Sequence, residues 1–231
     1  MIFDTQSKQE KRLIWLFILL LALCMLFIAH GFFQNYLFMR PCEQCVYIRF
    51  AVFAIALGAF FAFLNPKNIF LKFIAFVLAF YGVIYGIEHA LILQKAYEAV
   101  LSMNLFGGVT CKEIPSFAFD LALHEWLEDL FKPSGICGFD YPIVPEDANL
   151  STLQEFFVGT KEGNFKNGLY SEGWYLLPSL KFINMPTAVL IILIFIALIL
   201  LILFLKFSFE NKAVLFFISC IICVALLVFL S

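Results

Sequence analysis

Five apolar runs, each about as long as a bilayer is thick, constrain this chain more than any other feature. They are Leu13 to Phe33, Val46 to Leu64, Ile69 to Leu93, Thr187 to Leu205 and Ala213 to Leu230. A spanning helix needs about 20 mainly apolar residues, and in lipid only a helix or a closed barrel satisfies its own backbone polar groups. The expected fold is therefore all-α, a polytopic transmembrane helical bundle with one long polar loop from Gln94 to Met185. The composition agrees, with 63% of residues hydrophobic and 14% charged, far from the balance of soluble domains. A net charge of -2 offers no basic surface for nucleic acid, so that partner class is set aside. The first run follows Lys8, Lys11 and Arg12 as a signal peptide would. It is too long for an ordinary signal core and lacks a small-x-small cleavage site, so it is expected to be retained.

Cation placement sets the expected orientation, because lysine and arginine near the spans mark the cytoplasmic side. The N-terminal tail, the 65–72 link (Lys67, Lys72) and the 206–212 link (Lys206, Lys212) together hold seven cations. The opposite side receives the short Gln34 to Cys45 loop, with Arg40, and the long loop, with six lysines against twelve acidic residues. Both loops carry cysteine pairs, and both are expected to face an oxidising compartment.

The seven cysteines fall into groups with different surroundings. Cys24 reads as a small buried hydrophobe. Cys220 and Cys223 have redox spacing, but a thiolate in mid-bilayer without a cation is very unfavourable. Cys42-Glu43-Gln44-Cys45 sits at the edge of the second span, where the spacing lets a disulfide close and a helix N-terminus stabilises a thiolate. A structural zinc site would need four ligands at short internal spacing, whereas Cys111 and Cys137 are 26 residues apart; zinc and an inert disulfide are the rival readings. Arg49 lies four residues after Cys45, on the same helical face and one turn deeper. A guanidinium there favours a thiolate on Cys45 and can hold a polar oxygen of a lipid-soluble acceptor; the alternative is a side chain snorkelling to the headgroups. Glu88 and His89 form a second ionisable pair at similar depth that could line the same pocket.

These residues resemble a known family, the DsbB disulfide-bond oxidoreductases of the bacterial inner membrane and their DsbI relatives. The match is carried by Pro41-Cys42-x-x-Cys45-x-Tyr47-x-Arg49, Asn65-Pro66-Lys67, Glu88-His89, Cys111, Ser134-Gly135-x-Cys137 and Met185-Pro186, from Ile14 to Leu205. The resemblance implies a cytoplasmic tail over 1–12, a four-span core over 13–205 with a periplasmic loop over 94–185, and a cytoplasmic link with an extra fifth span over 206–231. It implies a thiol oxidase that reoxidises a periplasmic DsbA-type partner and passes the electrons to a quinone, ubiquinone or menaquinone. The catalytic residues would be Cys42, Cys45, Cys111 and Cys137, and the quinone would be held at Arg49, Cys45, His89 and Glu88. The rival classes are a conduit carrying reducing electrons outward through cysteines in the spans, and a scaffold whose loop disulfides are only structural.

Three features depart from the family pattern. Glu43 should oppose a nearby thiolate. The 138–181 segment is an insertion whose Leu169 to Tyr175 stretch suits a membrane interface or a partner surface. The fifth span points to the DsbI-like branch, or to a chain that once continued into an external domain. Within the loop, Ser116 to Phe131 reads as an amphipathic helix on the outer membrane surface, holding the cysteine loop near the first pair.

Overall fold

The computed structural model describes residues 2–66, 68–102, 111–118 and 121–210, with side chains from residue 12 to 209 within those ranges. Four helices in it are long and apolar enough to cross a bilayer. They are α1 (Ile2–Phe27), continued by a π-helical stretch over Ile28–Tyr36, then α2 (Glu43–Leu64), α3 (Ile69–Leu101) and α7 (Met185–Glu210). The predicted fifth span, with Cys220 and Cys223, lies outside the described residues. Between α3 and α7 come α4 (Leu123–Trp126), α5 (Glu128–Phe131), α6 (Thr152–Val158) and a small antiparallel ribbon, β1 (Tyr175–Leu177) with β2 (Phe182–Asn184). The chain is mostly helical, as its sequence implies, and the ribbon sits just ahead of α7.

Small residues let α2 and α3 approach closely, the packing that lipid favours because apolar tails give helices no hydrophobic reason to associate. A Cβ on Gly82 would lie 2.5 Å from the Ala51 carbonyl oxygen, and one on Gly58 would lie 2.6 Å from that of Ala75. Ala59, Ala75 and Ala79 are fully buried in the same core. Helix α1 packs on α2, and α7 on α3, so α2 and α3 form the centre of the bundle.

The ends of the bundle are chemically distinct. At one end Arg12 donates to the carbonyls of Phe63 and Leu64, each at 3.3 Å, which caps the C-terminus of α2. Lys72 lies over the Phe207 ring, 5.5 Å from its centroid. Arg12 of the N-terminal tail and Lys72 of the 65–72 link thus lie at one end. The cysteine-bearing segments gather at the other.

Candidate functional site

Cys42 is the N-cap of α2, and its Sγ accepts the Cys45 N–H at 3.3 Å. It is 2% exposed, while Cys45 is half-buried. Burial pushes the Cys42 thiol well above the usual cysteine range. Neither residue is bridged here, whereas Cys111 and Cys137 form a disulfide with their Cα atoms 6.1 Å apart.

The two pairs are drawn together by backbone groups on both flanks. The Lys112 N–H, next to Cys111, donates to Glu43 Oε2 at 2.7 Å, next to Cys42. On the other flank the N–H groups of Ser134 and Gly135 both donate to the Pro41 carbonyl at 2.9 Å. Gly135 is required there, because a Cβ would stand 2.4 Å from the Arg40 carbonyl oxygen. Cys42 and Cys137 belong to one buried cluster, against which Cys45 and Cys111 pack. Within the disulfide, Cys137 is 5% exposed and Cys111 half-buried, so Cys111 is the sulfur more open to an incoming thiolate.

Glu43 has a role its sequence position did not suggest. It is buried, with Oε1 accepting the Tyr47 hydroxyl at 3.0 Å and Oε2 the Lys112 N–H. The Tyr47 hydroxyl accepts in turn from the Ser116 N–H at 2.9 Å. Its carboxylate is thus engaged in holding the loop. Gln44, also buried, meets His89 Nδ1 through Oε1 at 2.6 Å, and the His89 ring packs between Tyr47 and Tyr85 at centroid distances of 4.5 and 4.3 Å. Glu88 is exposed on α3 and takes no part in these contacts.

Arg49 is 5% exposed, a buried guanidinium with its hydrogen bonds formed inside the protein. It donates to Gln34 Oε1 at 2.6 Å, the Leu130 carbonyl at 3.1 Å and the Ala29 carbonyl at 3.0 Å. The π-helical turn accounts for the last of these, since a wider turn displaces carbonyls from the regular α ladder. Gln34 also donates to the Asp129 backbone and carboxylate, at 2.9 and 3.3 Å. Arg49 thereby joins α1, α2 and the α4–α5 segment.

Two expectations are corrected. Ser116 to Phe131 is not one amphipathic helix: Leu127, at φ -133° and ψ 60°, separates α4 from α5, while Phe117 and Phe131 bury against Val46 and Tyr47. In the 169–175 stretch, half-buried Trp174 packs against Phe33 and Tyr170 stacks on Phe157. Cys24 is exposed on α1 rather than buried.

The family profile described as Disulfide bond formation protein DsbB matches residues 11–205. The chain belongs to the DsbB family. A DsbI protein of Campylobacter jejuni is 45% identical to this DsbB-family chain, covering 99% of it and 87% of the relative. A DsbI of Campylobacter fetus is 49% identical over 79% of this chain and 80% of its own. The protein-disulfide oxidoreductase DsbI of an avian pathogenic Escherichia coli is 46% identical, covering 78% and 79%.

Proposed function

We propose that this DsbB-family chain is a multi-pass thiol oxidase of the bacterial inner membrane, with its cysteine loops in the periplasm. It takes electrons from a DsbA-type dithiol protein and passes them to a membrane quinone. The proposal divides the chain into a cytoplasmic tail (1–12), a four-span core (13–205) and a link with a fifth span (206–231). One observation carries it: two cysteine pairs are pinned together at the start of α2, through Lys112 to Glu43 and Gly135 to Pro41.

Disulfide exchange proceeds by thiolate attack in line with the bond broken, and it needs reach more than it needs other catalytic groups. The partner thiolate attacks Cys111, the more open sulfur, and Cys137 leaves. The partner's second thiolate completes its own disulfide and leaves Cys111 and Cys137 reduced. Cys137, buried in the same cluster as Cys42, then attacks Cys42 and frees Cys45. Attack by Cys111 on Cys137 restores the loop disulfide and leaves Cys42 and Cys45 reduced.

The residues near Cys45 fit a quinone head group. Arg49 is a buried cation one helical turn from Cys45, and the half-buried His89 ring is stacked between tyrosines. When bound, a quinone supplies a sink for two electrons and two protons. Arg49 would hold and polarise an acceptor oxygen, and His89, oriented by Gln44, would hydrogen-bond to it. Glu88 is the weakest member of this set, because it is exposed.

Trapping tests the order. A partner lacking its second cysteine should form a covalent complex that is lost in Cys111→Ser and persists in Cys45→Ser. A complex that forms equally without Cys111 would overturn the assigned sequence.

A further inference from the structure

The hairpin just ahead of α7 has no part in the exchange route above. It consists of β1, a 3-10 turn over Pro178–Leu180 and β2, with Tyr175 paired to Asn184 and Leu177 to Phe182. Lys181 is the sole charged residue between 175 and 184. The apolar side chains of the hairpin are left bare by the described residues: Leu176 is 56% exposed, Leu177 48%, Leu180 75% and Phe182 56%. Those values match the 54% of Leu198, which lies within the α7 span and meets lipid. In water such a surface would mark a binding face.

The hairpin is continuous with a membrane span. β2 ends at Asn184 and α7 begins at Met185. Asn184 Oδ1 accepts the Thr187 N–H at 3.1 Å, and the Thr187 hydroxyl donates to Gln94 Oε1 of α3 at 3.1 Å, so the hairpin is fixed to the first turn of α7 and carried on no linker. The apolar stretch Met185–Phe209 has 25 residues, about 37 Å at 1.5 Å each, against a hydrocarbon layer of roughly 30 Å. Its ends therefore lie at the headgroup boundary, and the strand pairing keeps the four bare side chains within a few residues of it. The neighbouring ionic groups gather around a cavity of about 270 Å³ lined in part by Lys166, Ser171, Glu172 and Lys181, with Lys181 Nζ 2.8 Å from Glu172 Oε2. Bare apolar side chains beside clustered charges are the division shown by elements that lie in a membrane surface.

We propose that the 175–184 hairpin is an interfacial foot, seated in the leaflet at the cysteine end of the bundle. Its ligand is the phospholipid surface: Leu176, Leu177, Leu180 and Phe182 lie among the upper acyl chains, and Lys181 with Glu172 lies at the headgroups. Continuity with the lipid-facing side of α7 favours lipid over a protein occupant. The foot also ties the cysteine loop to the membrane plane. The Trp174 N–H, one residue before β1, donates to the Asp140 carboxylate at 3.1 Å, and Asp140 follows Cys137 by three residues. The inference rests on the chain spanning a membrane, and not on the electron route.

Photocrosslinking tests it on the full chain in vesicles of phosphatidylcholine and phosphatidylglycerol, with p-benzoylphenylalanine in place of Leu176 or Leu180. On irradiation each should gain the mass of one phospholipid, as the same group at Leu198 on α7 does, whereas at the exposed Asp147 it should gain none. A lipid-soluble carbene reagent should also label the hairpin peptide of the unchanged chain; that measurement needs no substitution, so it stands even if a variant misfolds. Lipid capture at 198 without capture or carbene labelling in the hairpin overturns the foot alone. So does a crosslink from 176 or 180 to protein, whether to the chain's own 213–230 run or to a second copy. Absence of lipid capture at 198 overturns the spanning reading and this inference with it.

Discussion

At the scale of single residues, Arg49 and Glu43 do different work with buried charge. Arg49 satisfies its cost of burial with three acceptors drawn from separate segments, which a compact ammonium would match poorly. Arg49→Ala should therefore slow quinone-dependent turnover by about 100-fold while leaving partner trapping intact, and Arg49→Lys should fall between; stopped-flow quinone absorbance reads both. Glu43→Ala removes the clasp to Lys112, and we expect exchange between the two pairs to slow by about tenfold, read by quenching and mass analysis. Asp140 gives the stability of the chain a defined pH response. Its folded pKa is raised by burial, so its contribution is complete below the unfolded aspartate value and is lost as pH rises through the folded one. Asp140→Asn should flatten that limb in thermal denaturation followed against pH. Of these residues, the cysteines and Arg49 were legible in the sequence because an unusual residue in an unusual place carries information. Glu43, Gln44 and Gln34 were not, because their partners lie far along the chain or in a neighbouring helix and no spacing rule connects them.

At the scale of elements, hydrophobic length was enough to find the four long apolar helices of the described residues, but their ends depended on other forces. Helix α3 runs past Leu93 to Leu101 because Ala96 and Tyr97 still bury against the cysteine cluster. The amphipathic pattern over 116–131 was real in composition and misleading in form. The segment folds onto α2 through Phe117 and Phe131, which favours two short turns over one straight face. The α2–α3 seam makes the sharpest prediction at this scale. Gly82→Ala must push a methyl toward the Ala51 carbonyl, and overpacking of this kind destabilises by about 1–3 kcal/mol. Denaturation in detergent should show a lower midpoint for Gly82→Ala, while alanine at an exposed position such as Ile84 should show little change.

At the scale of the whole molecule, two cations of the tail and the 65–72 link stand at the opposite end of the described bundle from the four loop cysteines. Arg12 and Lys72 hold one end, and Cys42, Cys45, Cys111 and Cys137 hold the other. That polarity is the one the positive-inside bias leads one to expect from the sequence. The convergence of two loops 69 residues apart at Glu43 and Lys112 was not readable there, since it depends on how the loop folds back. In the proposed function, electrons cross from one pair to the other and leave through the membrane. The decisive experiment is oxidation of a reduced DsbA-type protein by the purified chain in quinone-containing vesicles. Catalytic turnover is expected to require quinone and to be abolished by serine at any of the four cysteines; turnover that continues without quinone, or without Cys42 and Cys45, would overturn the electron route.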